Sequence, residues 1–220
     1  MNANPTSRTY SSLTQAYDFF NAELFGGQLP PCLITMQRHK GAYGYFSGDR
    51  FANAANLEEM TDEIALNPAH FAKRRPEQTL STLAHEMVHL WQHHFGKRPR
   101  GGYHDKQWAA KMREIGLIPT STGEPGGKET GQKVTHIIAE GGPFAQACQQ
   151  LLAQHPAILY HDRAGDDAEG EKTRKKKAAS KTKYTCKGCG INAWAKPAVN
   201  LWCGDCQQPM EAEELEEGED

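Results

Sequence analysis

The sequence lacks any long apolar run. No segment of its 220 residues approaches the roughly 20 consecutive apolar residues that a membrane-spanning helix needs. Residues 1–12 are polar, so the apolar stretch of a secretory signal peptide is missing too. We therefore expect a cytoplasmic protein with no membrane partner, either free in the cell or associated with the nucleoid.

The sequence also carries little net charge and few cysteines. A formal net charge of −2 and an isoelectric point near 6.6 exclude binding to polyanions through bulk charge alone. Hydrophobic residues make up 38%, which permits a core, and the length suggests one domain with a small additional module. Of the six cysteines, Cys32 and Cys148 are isolated and are expected to be small reduced core residues.

The most informative segment is the pentapeptide His85–His89, which reads H-E-x-x-H. Around it, apolar residues recur at helical spacing, namely Leu80, Leu83, Ala84, Met87, Val88, Trp91 and Phe95. Pro76 suits the first turn of this helix, and Gly96 suits the position after its last turn. On one helix face, His85 and His89 can bind a single Zn²⁺, and Glu86 can take a proton from a water that the metal activates.

Two alternatives concern the same helix. H-E-x-x-H also occurs by chance on a solvated, charged helix face. In these apolar surroundings, however, two imidazoles and a carboxylate would be costly to bury without partners, which favours a metal site. His93 continues the four-residue spacing, but at about 1.5 Å rise per residue it lies about 12 Å along the axis from His85. We expect His93 and His94 to be surface residues or supports of the ligands.

A catalytic zinc needs a third protein ligand, and His104 is the prediction for it. His104 follows the glycine pair 101–102 and opens a second amphipathic stretch that includes Trp108 and Met112. The glycine-rich turn lets the chain reverse, so that this second helix lies beside the first. Asp105 is either an acceptor for a ligand imidazole or the N-cap of the second helix.

Further segments accompany the pentapeptide: Asn21, 24–27 (Leu-Phe-Gly-Gly), Leu29-Pro30, 64–68 (Ile-Ala-Leu-Asn-Pro), 82–92, Gly102-Tyr103-His104 and Trp108. Together they resemble the SprT-like family of zinc metalloproteases. The resemblance implies that His85, His89 and His104 bind zinc and that Glu86 is the catalytic acid and base. It also implies a relation to Spartan-type proteases, which degrade proteins crosslinked to DNA.

The segments before the zinc helix predict a small α+β, zincin-like domain in which that helix packs beside a short β-sheet. A first helix ends at the glycine pair 26–27, and strands are expected at 32–36 and 63–66. Residues 42–46, followed by a turn at 47–49, suggest a hairpin. A strand beside the cleft could pair with an extended peptide substrate, or it could only cover the helices.

The segment after the second helix holds additional candidates for the site. Residues 119–131 are rich in glycine, serine and threonine and predict a loop near the cleft. His136, on a short predicted strand, is a candidate for supporting a ligand or the transition state. Three tyrosines compete for the same role: Tyr43, Tyr45 and Tyr103. The sequence alone selects none of them.

From residue 161 the composition changes to a charged stretch with almost no apolar residue. Acidic residues dominate 162–171, and lysine and arginine dominate 172–183. This composition predicts a flexible linker. Its basic part is either a solvated spacer or an arm that contacts nucleic-acid phosphates with salt-sensitive affinity.

Two C-x₂-C pairs follow, Cys186 with Cys189 and Cys203 with Cys206. In a chain without a secretory signal, four such thiols favour one tetrahedral structural zinc over disulfides. A module this short cannot build its own core, so metal binding would supply its folding energy.

Two tryptophans and an acidic end complete this region. Trp194 and Trp202 lie between the cysteine pairs and either pack over the metal or stack on unpaired bases. Residues 211–220 are mostly acidic and either mask the basic arm or aid solubility.

The patterns together predict a zinc metalloendopeptidase with two Zn²⁺ ions, one catalytic and one structural. The expected boundaries are a SprT-like metalloprotease domain (1–160), a charged flexible linker (161–183), a zinc ribbon (184–210) and an acidic tail (211–220). The expected partners are a protein substrate and DNA, and cleavage of DNA-bound or DNA-crosslinked protein rests on the family resemblance. The alternative is a non-proteolytic nucleic-acid- or protein-binding regulatory factor with two structural zinc sites. Glu86 argues against it, because a structural site needs no general base.

Overall fold

The computed structural model describes residues 4–155, 160–163 and 182–213. These residues form two compact units, one made by the residues up to 163 and the other by those from 182. Most of the predicted linker with its basic run, and residues 214–220 of the predicted tail, lie outside the described residues. Within the described ranges, no helix combines the length and the apolarity that crossing a membrane requires.

The first unit mixes helices and strands, in agreement with the predicted α+β class. Its elements in chain order are α1 (Pro5–Phe25), β1 (Leu33–Met36), β2 (Gly44–Asn53), β3 (Asn56–Leu66), a 3₁₀ turn (Pro68–His70), α2 (Pro76–Phe95), α3 (Lys106–Glu114), β4 (Leu117–Thr120), β5 (Thr135–Ile138) and α4 (Pro143–Gln154). Helix α2 begins at Pro76 and ends before Gly96, as the sequence predicts.

Helix α2 lies in the centre of the apolar core. Leu83, Met87 and Val88 on this helix are fully buried, in one cluster with residues of α1, α3 and α4. Phe20 of α1 and Phe144 of α4 pack with ring centroids 5.3 Å apart in the same cluster. Each such side chain stabilises the fold by about 1.5–3 kcal/mol relative to exposure. The core therefore fixes the position of the helix that carries the H-E-x-x-H residues.

A three-stranded sheet with the order β1-β3-β2 packs beside α2. Strand β1 is parallel to β3, and β2 is antiparallel to it. The second half of β3, residues 62–66, is buried, whereas its first half is exposed. This order makes β2 the edge strand next to the helix.

The predicted hairpin exists, but the predicted turn at 47–49 is wrong. Those residues lie inside β2, and the chain turns at 54–55. The β2–β3 register shifts between Ser47 and Phe51, and Asp49 has a left-handed backbone with φ 53°. The reason is a β-bulge: the buried Asp62 carboxylate accepts the backbone N–H of Asp49 at 2.8 Å. Ser-Gly-Asp, which is typical of turns, here forms a bulge within a strand.

The segment predicted as a loop from 119 to 131 begins later in the structure. Pro119 and Thr120 belong to β4, which pairs antiparallel with β5, and Pro119 lies opposite His136. The loop proper starts at residue 121 and returns to the centre of the unit at Gly131, which forms an isolated β-bridge with His104. The loop is thus tied to a predicted metal ligand.

The second unit contains short strands, namely β6 (Thr182–Thr185), β7 (Asn192–Ala195), β8 (Trp202–Cys203), β9 (Gln208–Pro209) and β10 (Glu211–Ala212). They form a sheet with the order β10-β6-β7 and a separate β8–β9 pair. Tyr184 is buried, donates its hydroxyl to the Lys196 carbonyl at 2.9 Å and accepts the Val199 N–H at 3.1 Å. Glu211 and Ala212, at the start of the predicted acidic tail, pair with β6.

Candidate metal centre and its cleft

Helix α2 presents His85, Glu86 and His89 to one cleft. His85 and His89 are one turn apart, with ring centroids at 5.2 Å. His85 and Glu86 are buried and His89 is half-buried. Because the neighbouring residues of the helix are packed in the core, the three side chains have little freedom to move away from one another.

His104 reaches the same place from the segment between α2 and α3. Its backbone N–H and C=O each form a 2.9 Å hydrogen bond with Gly131. The next residue, Asp105, caps α3 by accepting the backbone N–H of Trp108 at 2.9 Å, and it also accepts the Gln92 amide at 2.8 Å. Of the two roles predicted for Asp105, the structure shows the helix cap.

The ligand nitrogens of His85, His89 and His104 converge, all within 4.8 Å of one another. His85 Nε2 and His104 Nε2 are 3.4 Å apart, close to the about 3.3 Å that tetrahedral zinc with bonds of about 2.0–2.1 Å would impose. His104 Nδ1 lies 3.1 Å from the Gly131 carbonyl, to which it donates, so its Nε2 lone pair faces the other histidines. The residues fit a zinc ion with three protein ligands and one open position.

Burial keeps these imidazoles uncharged. Desolvation lowers the pKa of His85 well below its usual value and that of His89 to about 3. Burial also lowers the pKa of His104, partly opposed by the hydrogen bond to Gly131. Only a neutral imidazole has a lone pair for a metal, so all three residues are in the form that binds one.

Trp108 forms the floor of this histidine cluster. Its fully buried ring lies 4.9, 5.3 and 4.3 Å, between centroids, from His85, His89 and His104. Its indole Nε1 has no hydrogen-bond partner among the described residues, so the ring acts through packing. The sequence predicted Trp108 only as part of an apolar stripe. Contact with all three histidines restricts the orientation of each ring.

His136 is the supporting residue that the sequence left unselected. Its Nδ1 lies 3.1 Å from His85 Nδ1, and its Nε2 lies 2.8 Å from the Ser81 hydroxyl. Ser81 in turn donates to the Gln78 carbonyl at 3.0 Å. One placement of the ring protons gives each of these side chains a hydrogen-bond partner: His85 Nδ1–H donates to His136 Nδ1, and His136 Nε2–H donates to the Ser81 hydroxyl. These hydrogen bonds leave His85 Nε2 free to face His89 and His104.

Glu86 and the three tyrosines that the sequence considered line a cleft of about 910 Å³. Burial raises the pKa of Glu86 to about 8. A divalent cation on the adjacent histidines would favour the ionised carboxylate and oppose this rise. All three tyrosines have other partners. The Tyr45 hydroxyl donates to Glu63 at 3.1 Å, the Tyr43 ring lies 4.1 Å from the Arg74 guanidinium, and the Tyr103 ring lies 4.6 Å from the Arg100 guanidinium.

Gly44 lets β2 approach α2 at the cleft. A Cβ at this position would lie 2.8 Å from the Ala65 carbonyl oxygen, 2.9 Å from Thr82 Cγ2 and 3.3 Å from Glu86 Oε1. Any side chain here would push the strand away from the helix or displace the carboxylate. No local sequence pattern indicates this close approach, because the three contacts come from separate segments.

His93 and His94 belong to a different cluster, with Asp62. His94 Nε2 lies 2.6 Å from Asp62 Oδ2. The side chain of His93 is 9% exposed. His94 is exposed, as expected of a surface residue, whereas His93 is half-buried, and both residues contact the carboxylate of Asp62 in β3.

The second unit brings together Cys186, Cys189, Cys203 and Cys206, whose sulfurs lie within 4.8 Å of one another. The pKa of the Cys186 thiol is lowered to about 6, mainly because the Gln208 amide donates a hydrogen bond to its sulfur at 3.3 Å. The pKa of the Cys206 thiol is raised to about 12, mainly because of its hydrogen bond with Cys189. Further negative charge in this cluster is thus unfavourable without a cation, and the four sulfurs are compatible with zinc.

The fold and these sites define an α+β protein with a three-histidine group and a four-cysteine group, each of which could hold a metal ion. A SprT-like family model matches residues 13–129, more than half of the chain, and that range contains all three histidines and Glu86. The chain therefore belongs to the SprT-like family.

A curated relative is similar to a short region of this chain. A stretch of 47 residues is 62% identical to a Salmonella typhimurium protein described as an uncharacterized protein in the mucB 3' region. The match covers 21% of this chain and 64% of the relative, somewhat less than two thirds of its length.

Proposed function

We propose that this chain is a zincin-type, zinc-dependent endopeptidase that cuts DNA-bound or DNA-crosslinked proteins. The observation that carries the proposal is the convergence of three neutral imidazoles beside the Glu86 carboxylate in one open cleft. Membership of the SprT-like family supports the same chemistry.

His85, His89 and His104 would hold the metal, and Glu86 would move the proton. Zinc, when bound, supplies a Lewis acid that polarises the scissile carbonyl and makes water acidic enough to attack it. The Glu86 carboxylate accepts the proton of the attacking water and passes it to the nitrogen of the leaving amine. His136 and Trp108 hold the imidazoles in place during this transfer.

The substrate would bind as an extended strand along β2. This strand is the edge of the sheet, and residues 44–48 line the cleft beside Glu86. An extended peptide can add to such an edge through main-chain hydrogen bonds, which are insensitive to sequence. Gly44 keeps the edge close to the carboxylate, so a peptide paired there lies within reach of the proposed base.

The second unit would be a zinc ribbon that binds DNA. Trp194 and Trp202 are 63% and 67% exposed, so their rings do not pack over the cysteines. Lys183 lies opposite Trp194 in the β6–β7 register, and its Nζ lies 3.3 Å from a Glu213 carboxylate oxygen that a phosphate would have to replace. The pair of Lys183 and Trp194 suits single-stranded nucleic acid, whose bases stack and whose phosphates attract lysine. The basic residues of 172–181, outside the described part of the chain, add positive charge.

The test is to incubate the full chain with a DNA-binding protein, in the presence and absence of single- or double-stranded DNA. We expect fragments of the DNA-binding protein, more of them with DNA, and none after zinc is removed with a chelator. Absence of fragments from a fully zinc-loaded chain under all of these conditions would instead favour the non-proteolytic binding factor.

A further inference from the structure

We propose a further divalent-metal site, formed by Asp62, His93 and His94 with Asp49 as a fourth donor. The site would take a divalent metal ion of intermediate softness, such as Zn²⁺, bound by two imidazoles and one or two carboxylates. The site lies at the last turn of α2, separate from the proposed catalytic histidines, and the proposal does not depend on the peptidase function.

The donor atoms already converge. One donor atom each of Asp62, His93 and His94 lies within 4.8 Å of the other two. Asp62 Oδ2 is 2.6 Å from His94 Nε2, and Asp62 Oδ1 is 3.7 Å from His93 Nε2. Asp49 Oδ2 approaches the same His93 nitrogen at 3.4 Å. Small side-chain movements would bring these atoms to the donor spacing of about 3.3 Å that tetrahedral zinc requires.

The arrangement is built into the fold. The Asp62 side chain is 5% exposed, and burying a carboxylate is costly unless it is paired. The His93 ring lies so close to Gly48 that a Cβ there would meet His93 Cε1 at 2.1 Å. The β-bulge brings Asp49 to the same point. A glycine, a bulge and a buried carboxylate thus all shape the space around the imidazole.

Arg98 occupies the place of a cation in this structure. Its Nη2 lies 2.8 Å from His93 Nε2 and 3.5 Å from Asp49 Oδ2. Because the guanidinium donates, His93 Nε2 accepts with its lone pair, and the nearest oxygens of Asp49 and Asp62 lie 3.4 and 3.7 Å from the same nitrogen. Burial, followed by the charge of Arg98, lowers the pKa of His93, in keeping with a neutral ring.

An unprotonated ring nitrogen that lies close to two carboxylates is stabilised by a positive charge placed between them. Arg98 provides it from an exposed position, since its side chain is 60% exposed. A metal ion can replace the guanidinium without any change in the core, and Arg98 would then be released towards solvent. Binding at this site therefore competes with Arg98.

The first experiment counts zinc on the full chain, stripped of metal and titrated with Zn²⁺ against an indicator. We expect three equivalents for the parent and for the control His70→Gln/His155→Gln. The variant His93→Gln/His94→Gln should bind two. An equal number of equivalents in the parent and in this variant would overturn the proposal.

The second experiment uses Arg98→Ala, which changes an exposed residue and leaves the core intact. Removal of the competing cation should tighten binding of the weakest zinc equivalent several-fold and leave the other equivalents unchanged. Unaltered affinity of that equivalent would overturn the proposal, because the cluster would then take no metal even without the competing guanidinium. Because this variant keeps all of the proposed donors, its result does not depend on how well the histidine variant folds.

Discussion

The chain of hydrogen bonds from His85 through His136 to Ser81 predicts a specific loss of metal affinity when His136 is replaced. His136→Phe keeps the size of the ring and removes both nitrogens, so His85 Nδ1 loses the partner that lies 3.1 Å away. Ser81 keeps its bond to the Gln78 carbonyl, so the helix itself should remain intact. The substitution thus tests the orientation of His85 rather than the fold.

The expected magnitude follows from the role of such partners. Loss of a residue that orients a metal-binding histidine typically weakens metal affinity about 10- to 100-fold. That factor corresponds to about 1.4–2.8 kcal/mol. We expect zinc at the histidine site to weaken by this amount in His136→Phe, whereas zinc at the four-cysteine site should be unaffected.

Cobalt substitution distinguishes the three-histidine site from the four-cysteine site in a full chain that carries His93→Gln/His94→Gln, which removes the further proposed site. Cobalt bound by thiolates has intense charge-transfer bands that cobalt bound by histidine lacks, so each occupancy can be followed during competition with a chelator. His155→Phe is the matched control, since it makes the same substitution outside the site. Cobalt affinity at the histidine site within about twofold of the parent would refute the proposed role of His136, because the expected loss is at least about tenfold.

Three further predictions concern the two units. His104→Ala should remove zinc from the histidine site and leave the cysteine site loaded, as measured by metal analysis; full retention of zinc would contradict the ligand assignment. Gly44→Ala should cost about 1–3 kcal/mol of stability in chemical denaturation and lower cleavage, because its Cβ meets backbone and Glu86; unchanged stability and activity would show that β2 adjusts freely. Trp194→Ala should weaken single-stranded DNA binding by about 1–3 kcal/mol in titrations, and Val199→Ala should not; equal losses in both variants would exclude a specific stacking role.

The site helix could be predicted from sequence because its determinants are local. Apolar spacing, Pro76 and Gly96 define α2 within a short segment, and the fold shows those bounds. The convergence of His104 on this helix also followed from one glycine-rich turn and the family resemblance. Nearby residues were sufficient for these predictions.

The missed features depend on contacts between distant segments. His136 lies 51 positions from His85, and Asp62 lies 32 positions from His94, so no local pattern links them. The turn residues 47–49 were misread for the same reason, because the buried Asp62 carboxylate stabilises them as a bulge. Tertiary partners decide the conformation and the role of such residues, and the sequence does not reveal those partners.

We propose above that Glu86 acts as the base beside a zinc held by three histidines. The most direct measurement is cleavage by Glu86→Gln, with the zinc content determined on the same preparation. We expect unchanged zinc and a rate reduced by about 10²- to 10⁴-fold, because the substitution removes a general base and no ligand. Cleavage at the parental rate by the zinc-loaded variant would show that Glu86 is not the base.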